Sequence, residues 1–257
     1  MKSKITFILI FLFTSLKSFG QSADSIETDL ARSYARARGA YLSNTLNVSQ
    51  QFPQEYSSFI KKLLYYSSAK PSTISYPFNL PLQHQITILS SDDSLFRIYS
   101  WHYDDTSDWL FPCGDVLQYK WRDKTFSKSD TLEKAGVYCI QQFTLRDHGK
   151  TYYLCVYVNP VSHEVKRQSI VAFTIEDGKL INDVKIFKTD KGLTDKIDVD
   201  ISVSRRIVKQ KWKSESAFSF NPQILTVGFP EHIENDDQPI GHIIYKFTGQ
   251  YFERVKN

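Results

Sequence analysis

The chain has 257 residues, of which 41% are hydrophobic and 14% aromatic, a composition that supplies a sizeable core and argues against a disordered protein. Its formal net charge of +4 depends largely on Lys2, Lys4 and Lys17, which all lie in the first 20 residues. The rest of the chain is nearly neutral, which argues against nucleic acid as a partner, because nucleic-acid-binding proteins concentrate Lys and Arg on one face.

Residues 1–20 have the order of segments that is typical of a cleavable secretory signal peptide. A short basic segment, residues 1–4, precedes an uncharged apolar run over residues 5–16, and Ser18 and Gly20 supply the small residues of a signal peptidase site. This run is shorter than the roughly 20 residues that a membrane span needs. We therefore expect cleavage after Gly20, a secreted or periplasmic protein, and no membrane span in the mature chain.

Residues 21–70 are predicted to form a helical segment with two helices. Apolar residues recur there at intervals of three and four positions, as on one face of an amphipathic helix. In the first helix these residues are Ile26, Leu30, Tyr34, Ala37 and Tyr41. Pro53 opens the second helix, at a position where its missing N–H costs nothing. The apolar face of the second helix holds Tyr56, Phe59, Ile60, Leu63 and Leu64.

Residues 71–257 are predicted to form an antiparallel β domain that packs with the helices as one unit. After a connector with three prolines, apolar and polar residues alternate with the period of two that a half-buried strand requires. Tight-turn sequences such as Asp177-Gly178 separate the strands. The predicted strands are 86–89, 95–101, 116–121, 137–145, 152–158, 169–175, 180–187, 197–203, 224–229, 241–247 and 251–255.

This pattern indicates a mainly β fold, α+β overall, in which a helical pair precedes a meander of hairpins. A propeller-like arrangement and a sandwich or rolled sheet both fit the spacing of the strands. No repeat of 40 to 50 residues is present to favour the propeller-like arrangement.

The three cysteines leave the disulfide state open. Cys139 and Cys155 lie on either side of a predicted hairpin turn, and a three-residue loop would place them directly opposite each other. A loop of two or four residues would put them out of step. A Cys139–Cys155 bridge and buried free thiols are therefore both compatible with the sequence, and Cys113 is expected to be a small buried apolar residue.

One polar segment, residues 101–109, combines the residue types of a ligand site. Flat aromatic rings beside carboxylates and an imidazole would suit a sugar, and the carboxylates alone could supply oxygen ligands to calcium. The spacing matches no defined calcium loop, so we assign no metal and no cofactor. Tryptophans that anchor the core beside a solvated loop are the alternative. The candidate ligand-binding residues are Trp101, His102, Asp104, Asp105, Asp108 and Trp109.

The sequence contains no nucleophile elbow, metalloprotease helix, phosphate loop or dinucleotide turn. With no catalytic signature and many aromatic strand residues, we expect an exported, non-enzymatic binding or interaction protein whose partner is a protein or a glycan. A secreted hydrolase, acting on glycans through Asp104, Asp105, Asp108 or the acidic segment 231–237, is the alternative. An inhibitor or immunity protein that blocks a partner enzyme is a further one.

Overall fold

The computed structural model describes residues 22–44, 52–78, 86–101, 113–129, 137–161, 165–202, 216–230 and 242–255. Two helices come first, α1 (Ala23–Asn44) and α2 (Phe52–Ala69), and antiparallel sheets follow. The predicted fold class, mainly β and α+β overall, is confirmed. The Oγ atom of Ser22 accepts a hydrogen bond from the backbone N–H of Ser25 at 3.3 Å and so caps α1.

The strands, numbered in chain order, form three sheets. The first sheet has the order β1-β2-β3-β4. The second has the order β11-β7-β6-β5, with β8 also paired to β7, and the third has the order β10-β9-β15-β14-β13-β12. The strands are β1 (Ile86–Ser90), β2 (Phe96–Trp101), β3 (Gly114–Trp121), β4 (Lys124–Ser129), β5 (Tyr138–Asp147), β6 (Lys150–Pro160), β7 (Val165–Glu176), β8 (Lys179–Ile181), β9 (Phe187–Thr189), β10 (Gly192–Thr194), β11 (Lys196–Ser202), β12 (Ser219–Asn221), β13 (Thr226–Pro230), β14 (His242–Phe247) and β15 (Phe252–Arg254).

The helices and the three sheets pack face to face as successive layers. Phe59 of α2 and Trp101 of β2 lie in a core between the helices and the first sheet. Phe96 and Tyr153 stack, with ring centroids 4.7 Å apart, in the core between the first and second sheets. A third core, which includes Phe187, fills the space between the second and third sheets. The finer choice between a propeller-like arrangement and a sandwich or rolled sheet stays a prediction.

The strands differ in several details from those predicted, and β10 and β12, like β4, were not predicted. The run predicted as one strand over residues 180–187 is divided between β8 of the second sheet and β9 of the third. β9 pairs with β15 in parallel, whereas the other strand pairs in the described residues are antiparallel. Strand β4 was not predicted, because its helix-facing residues are hydroxylic: Thr125 and Ser127 donate hydrogen bonds at 2.8 Å to the carbonyl oxygens of Ser68 and Leu64.

A buried polar network joins the end of α2 and the following connector to the first sheet. The Arg97 guanidinium, 4% exposed, donates to the carbonyl oxygens of Thr73 at 2.5 Å and Tyr76 at 2.7 Å. The Gln118 amide donates to the Ser67 carbonyl at 2.7 Å and accepts from the Tyr99 hydroxyl at 2.9 Å. These bonds satisfy carbonyl groups at the helix end that would otherwise be buried without donors.

Candidate functional site

The connections between elements lie at the two ends of the layered stack. At one end, neighbouring strands are joined by turns of two to five residues. At the other, the described residues flank seven segments, and all of these except 162–164 are longer than the turns. We name this second side the long-connection end and define it by Trp101, Gly114, Ser129, Tyr138 and His242. The seven segments are 45–51, 79–85, 102–112, 130–136, 162–164, 203–215 and 231–241, and the tight turns are 91–95, 122–123, 148–149, 177–178, 222–225 and 248–251.

Contacts between sheets show that the long-connection ends of all three sheets coincide. The backbone N–H of Cys139 donates to Ser100 Oγ at 2.8 Å, which joins the first and second sheets near this end. The backbone N–H of Ala217 donates to Gln168 Oε1 at 2.7 Å and joins the second sheet to the third. At the opposite end, the Tyr119 hydroxyl bonds to the Gly178 carbonyl at 3.4 Å.

One tight turn does not follow this division. Strand β9 runs parallel to β15, so the turn at residues 190–191 points toward the long-connection end. The six turns at 91–95, 122–123, 148–149, 177–178, 222–225 and 248–251 lie at the other end of the stack. Because loops positioned by a rigid scaffold carry most binding residues, the long-connection end is the candidate site.

Both polar segments that the sequence singles out start from this end. Trp101 and Gly114 are paired across β2 and β3, so the segment 102–112 starts and finishes at one point of the first sheet. Pro230 and His242 are paired in the same way around 231–241. Both segments, and with them five of the six candidate ligand-binding residues, lie outside the described residues: His102, Asp104, Asp105, Asp108 and Trp109.

Trp101, the remaining candidate, requires a correction. Its side chain is 0% exposed and its ring packs edge-on against Phe59, with centroids 5.3 Å apart. The indole N–H donates to the Tyr56 hydroxyl at 3.1 Å. A ring enclosed in this way cannot stack on a sugar, so Trp101 is a core anchor and not a ligand-binding residue. The period-two pattern predicts that Trp101 lies at the end of a strand, but it cannot show that α2 covers that face of the sheet.

Tyr56, Cys113 and Asp115 lie close to Trp101 at the base of the 102–112 segment. Burial raises the pKa of the Tyr56 phenol to about 12, and the nearby Cys113 and Asp115 add to the rise. Asp115 is almost fully buried and Cys113 is half-buried. Sequence reasoning missed the polar role of Tyr56, because its spacing assigned it to the apolar face of a helix.

The structure decides between the two disulfide states that the sequence left open. Cys139 and Cys155 are both buried as free thiols, so the Cys139–Cys155 bridge is not formed. The turn between β5 and β6 has two residues, His148 and Gly149, and a bulge follows Cys139. Cys139 therefore faces Tyr157, and Cys155 faces Gln142. The two thiols are diagonal neighbours rather than a directly opposed pair.

Carboxylates within the described ranges are mostly engaged with neighbouring side chains. Asp93 accepts hydrogen bonds from Ser91 and Tyr153, and Arg167 forms a paired contact with Asp200 at 2.6 and 2.8 Å. Hydrogen bonding to Asp147 raises the pKa of the exposed His148. In these same ranges, no group of three His, Cys, Asp or Glu side chains could hold a metal ion.

No family model, no curated protein and no solved structure matches this chain. Neither helix in the described part of the chain is long and apolar enough to cross a membrane.

Proposed function

We propose that this protein is an exported, non-enzymatic binding module whose recognition face is the long-connection end. It acts in the periplasm or outside the cell, and its partner is a protein or a glycan. The observation that supports this proposal is the sorting of connections: the tight turns other than the one at residues 190–191 close one end of the stack, while the described residues that flank the longer segments lie at the other end. Gathered segments on a rigid framework are the usual way in which β proteins present ligand-binding residues.

The base of the 102–112 segment supports the choice of recognition face. Trp101 is fixed by the core and by its bond to Tyr56, and Gly114 lies opposite it in the adjacent strand. Rigid attachment at both ends reduces the conformational freedom that a segment loses when it binds. Its composition, with Trp109 and His102 among the aspartates, supplies stacking and hydrogen-bonding groups for a glycan or a protein.

Replacing the 102–112 segment tests the location of the site. Because Trp101 and Gly114 are directly paired, a short Gly-Ser turn can join them, and we expect the variant to fold and to lose binding. The probes are a glycan microarray and, for a protein partner, a photo-crosslinking amino acid placed at Thr106 in cells that express the protein. The control is the same Gly-Ser turn inserted at residues 148–149 and a crosslinker at Asp177.

Binding that persists without residues 102–112, or crosslinks that are equally strong at Asp177 and Thr106, would contradict the proposed face. Release of reducing sugar ends from a bound glycan would contradict the non-enzymatic part and favour a hydrolase. Circular dichroism checks that the segment-replacement variants and the crosslinker variants are folded.

Export is tested separately, by mass spectrometry of the protein recovered from the periplasm or the medium. We expect a mature chain that begins at Gln21, because Ser18 and Gly20 occupy the small-residue positions of the cleavage site. A full-length product retained in the cytoplasm would contradict the proposed location.

A further inference from the structure

The outward face of α2 carries a shallow, open groove. Its volume is about 680 Å³, and residues of this helix line it. This volume falls within the range of about 300–1,000 Å³ that is usual for small-molecule sites. We name it the α2 groove and define it by Gln54, Ser57, Ser58, Lys61, Lys62 and Tyr65.

Three polar side chains of the groove are not used by the fold among the residues that the structure describes. Farther along the same helix, Ser67 and Ser68 donate their hydroxyl groups to the carbonyl oxygens of Leu63 and Leu64, at 2.6 and 2.8 Å. Within the described parts of the chain, the Ser57 and Ser58 hydroxyls and the Gln54 amide make no such bond. Their hydrogen-bonding capacity is therefore available to a ligand.

The groove has a positive charge that no neighbouring carboxylate neutralises. Lys62 pairs with Asp29 of α1 at 2.8 Å, so these two charges compensate each other. Lys61 is exposed and has no carboxylate within ion-pair distance among the residues that the structure describes. No carboxylate is among the described residues that line the groove. Its electrostatic preference is therefore for an anion.

Tyr65 provides an aromatic face at one end of the groove. Its side chain is 59% exposed, the most exposed large hydrophobic residue of the described chain. An aromatic ring offers an apolar face together with a polar hydroxyl. The C–H face of a sugar ring packs on such a surface while the sugar hydroxyls reach neighbouring polar groups.

We propose that the α2 groove binds an acidic saccharide. A uronate carboxylate contacts the Lys61 ammonium, the sugar hydroxyls bond to Ser57, Ser58 and Gln54, and one sugar ring packs on Tyr65. Neutral hydrogen-bonding groups outnumber the single free cation, which favours a hydroxyl-rich ligand over an acidic peptide. This site lies on the helical layer, so it goes beyond the proposed function and does not depend on the 102–112 segment.

Isothermal titration calorimetry with trimers of galacturonate, mannuronate and glucuronate tests the proposal. We expect at least one trimer to bind saturably, its neutral counterpart to bind more weakly, and affinity to fall as salt is added, because salt screens the contact with Lys61. Lys61→Gln and Tyr65→Ala should each weaken binding by about tenfold, the loss expected of one charge-assisted or stacking contact.

The matched controls remove equivalent groups elsewhere on the surface. Lys191→Gln removes an exposed lysine and Ile224→Ala an exposed apolar side chain, and we expect neither to change the affinity. No binding of any uronate trimer, or binding that is unchanged in both Lys61→Gln and Tyr65→Ala, would overturn the proposal. Uronate binding that survives replacement of residues 102–112 but is weakened by Lys61→Gln and Tyr65→Ala belongs to this site. It does not count against the proposed recognition face, which is tested with ligands that still bind Lys61→Gln.

Discussion

Two interfaces of this protein bury similar kinds of aromatic residues in different ways. Between the second and third sheets the core is mainly apolar, with Phe187 stacked on Phe252 at 5.5 Å between ring centroids and one polar contact, from the Ala217 backbone to the buried Gln168. Between the helices and the first sheet, aromatic packing around Trp101 is accompanied by the buried Arg97 and Gln118. The sheets meet through alternating side chains, whereas the helix end and its connector present carbonyl groups that need donors.

The difference shows what each interface requires of the sequence. Two sheets pack together when enough apolar residues alternate along their strands. Apolar substitutions of similar volume at these positions would therefore keep the packing. The connector after α2 has no repeating hydrogen-bond pattern, so specific side chains must satisfy Thr73 and Tyr76. The first interface should therefore respond to lost volume and the second to lost hydrogen bonds.

Removing volume from the apolar interface is expected to have the largest effect. Phe187→Ala deletes a fully buried ring and should lower the free energy of unfolding by about 3–5 kcal/mol. Urea denaturation followed by fluorescence measures this change. Phe187→Leu, the control, keeps most of the volume and should cost about 1 kcal/mol. Equal costs for the two variants would show that packing at this position is loose.

Removing the buried donor from the polar interface ranks next. Arg97→Met keeps an unbranched side chain but leaves the Tyr76 carbonyl without its donor and the Thr73 carbonyl with only the longer bond from Tyr99, and should cost about 2–3 kcal/mol in unfolding free energy. Arg97→Lys restores the charge and part of the hydrogen bonding, so its cost should be smaller. If Arg97→Met unfolds at the same urea concentration as the wild type, the network adds no net stability.

A single methyl group at Gly114 tests how closely Trp101 approaches the backbone. A Cβ atom there would lie 2.7 Å from the Trp101 ring, which the surrounding core prevents from moving, so Gly114→Ala should cost about 1–3 kcal/mol. Gly39→Ala is the control, because a Cβ in that part of α1 meets nothing within 4 Å. It should be neutral or stabilise the helix by up to about 1 kcal/mol. Thermal unfolding of the two variants makes the comparison, and equal melting temperatures would contradict it.

The smallest effect is expected at the contact between the two helices. Partial burial alone would raise the pKa of Asp29, but hydrogen bonds from Lys62 and Tyr66 and the charges of Lys62 and Arg36 outweigh it and hold the pKa below 3.8. A carboxylate with a lowered pKa stabilises the folded state above its unfolded pKa. That contribution is lost as the pH falls from about 3.8 toward the lower folded value.

Asp29→Asn should therefore cost less than about 1 kcal/mol at neutral pH, and the difference from wild type should shrink as the pH falls below about 3.8. Urea unfolding at a series of pH values measures it. Asp92→Asn, at an exposed turn, is the control and should leave stability at neutral pH unchanged. A difference between wild type and Asp29→Asn that stays constant down to pH 2 would contradict the role assigned to Asp29.

The local features of the fold were largely predictable from the sequence. The predicted stripe of Ile26, Leu30 and Tyr34 is buried in the helical layer, and the Asp177-Gly178 turn lies where expected. Such features depend on periodicity and turn chemistry within a few residues. Strand β4 escaped prediction because Thr125 and Ser127 face a helix with hydroxyl groups rather than apolar side chains.

The candidate site was predictable only in part. The sequence selected residues 101–109 by their chemistry, but the burial of Trp101 depends on Phe59 and Tyr56, which lie more than forty positions earlier. The register of Cys139 and Cys155 depends on a two-residue turn and a bulge, and a shift of one residue decides whether two side chains are opposed.

The sequence by itself determined the helical pair, the alternating strands, the tight turns and the signal-like composition of residues 1–20, because each depends on neighbours along the chain. Only the tertiary structure decided that the residues flanking the longer segments lie at one end, that Arg97 is buried, and that β9 and β15 pair in parallel. These features depend on contacts between residues far apart in sequence, where periodicity carries no information about which layers meet.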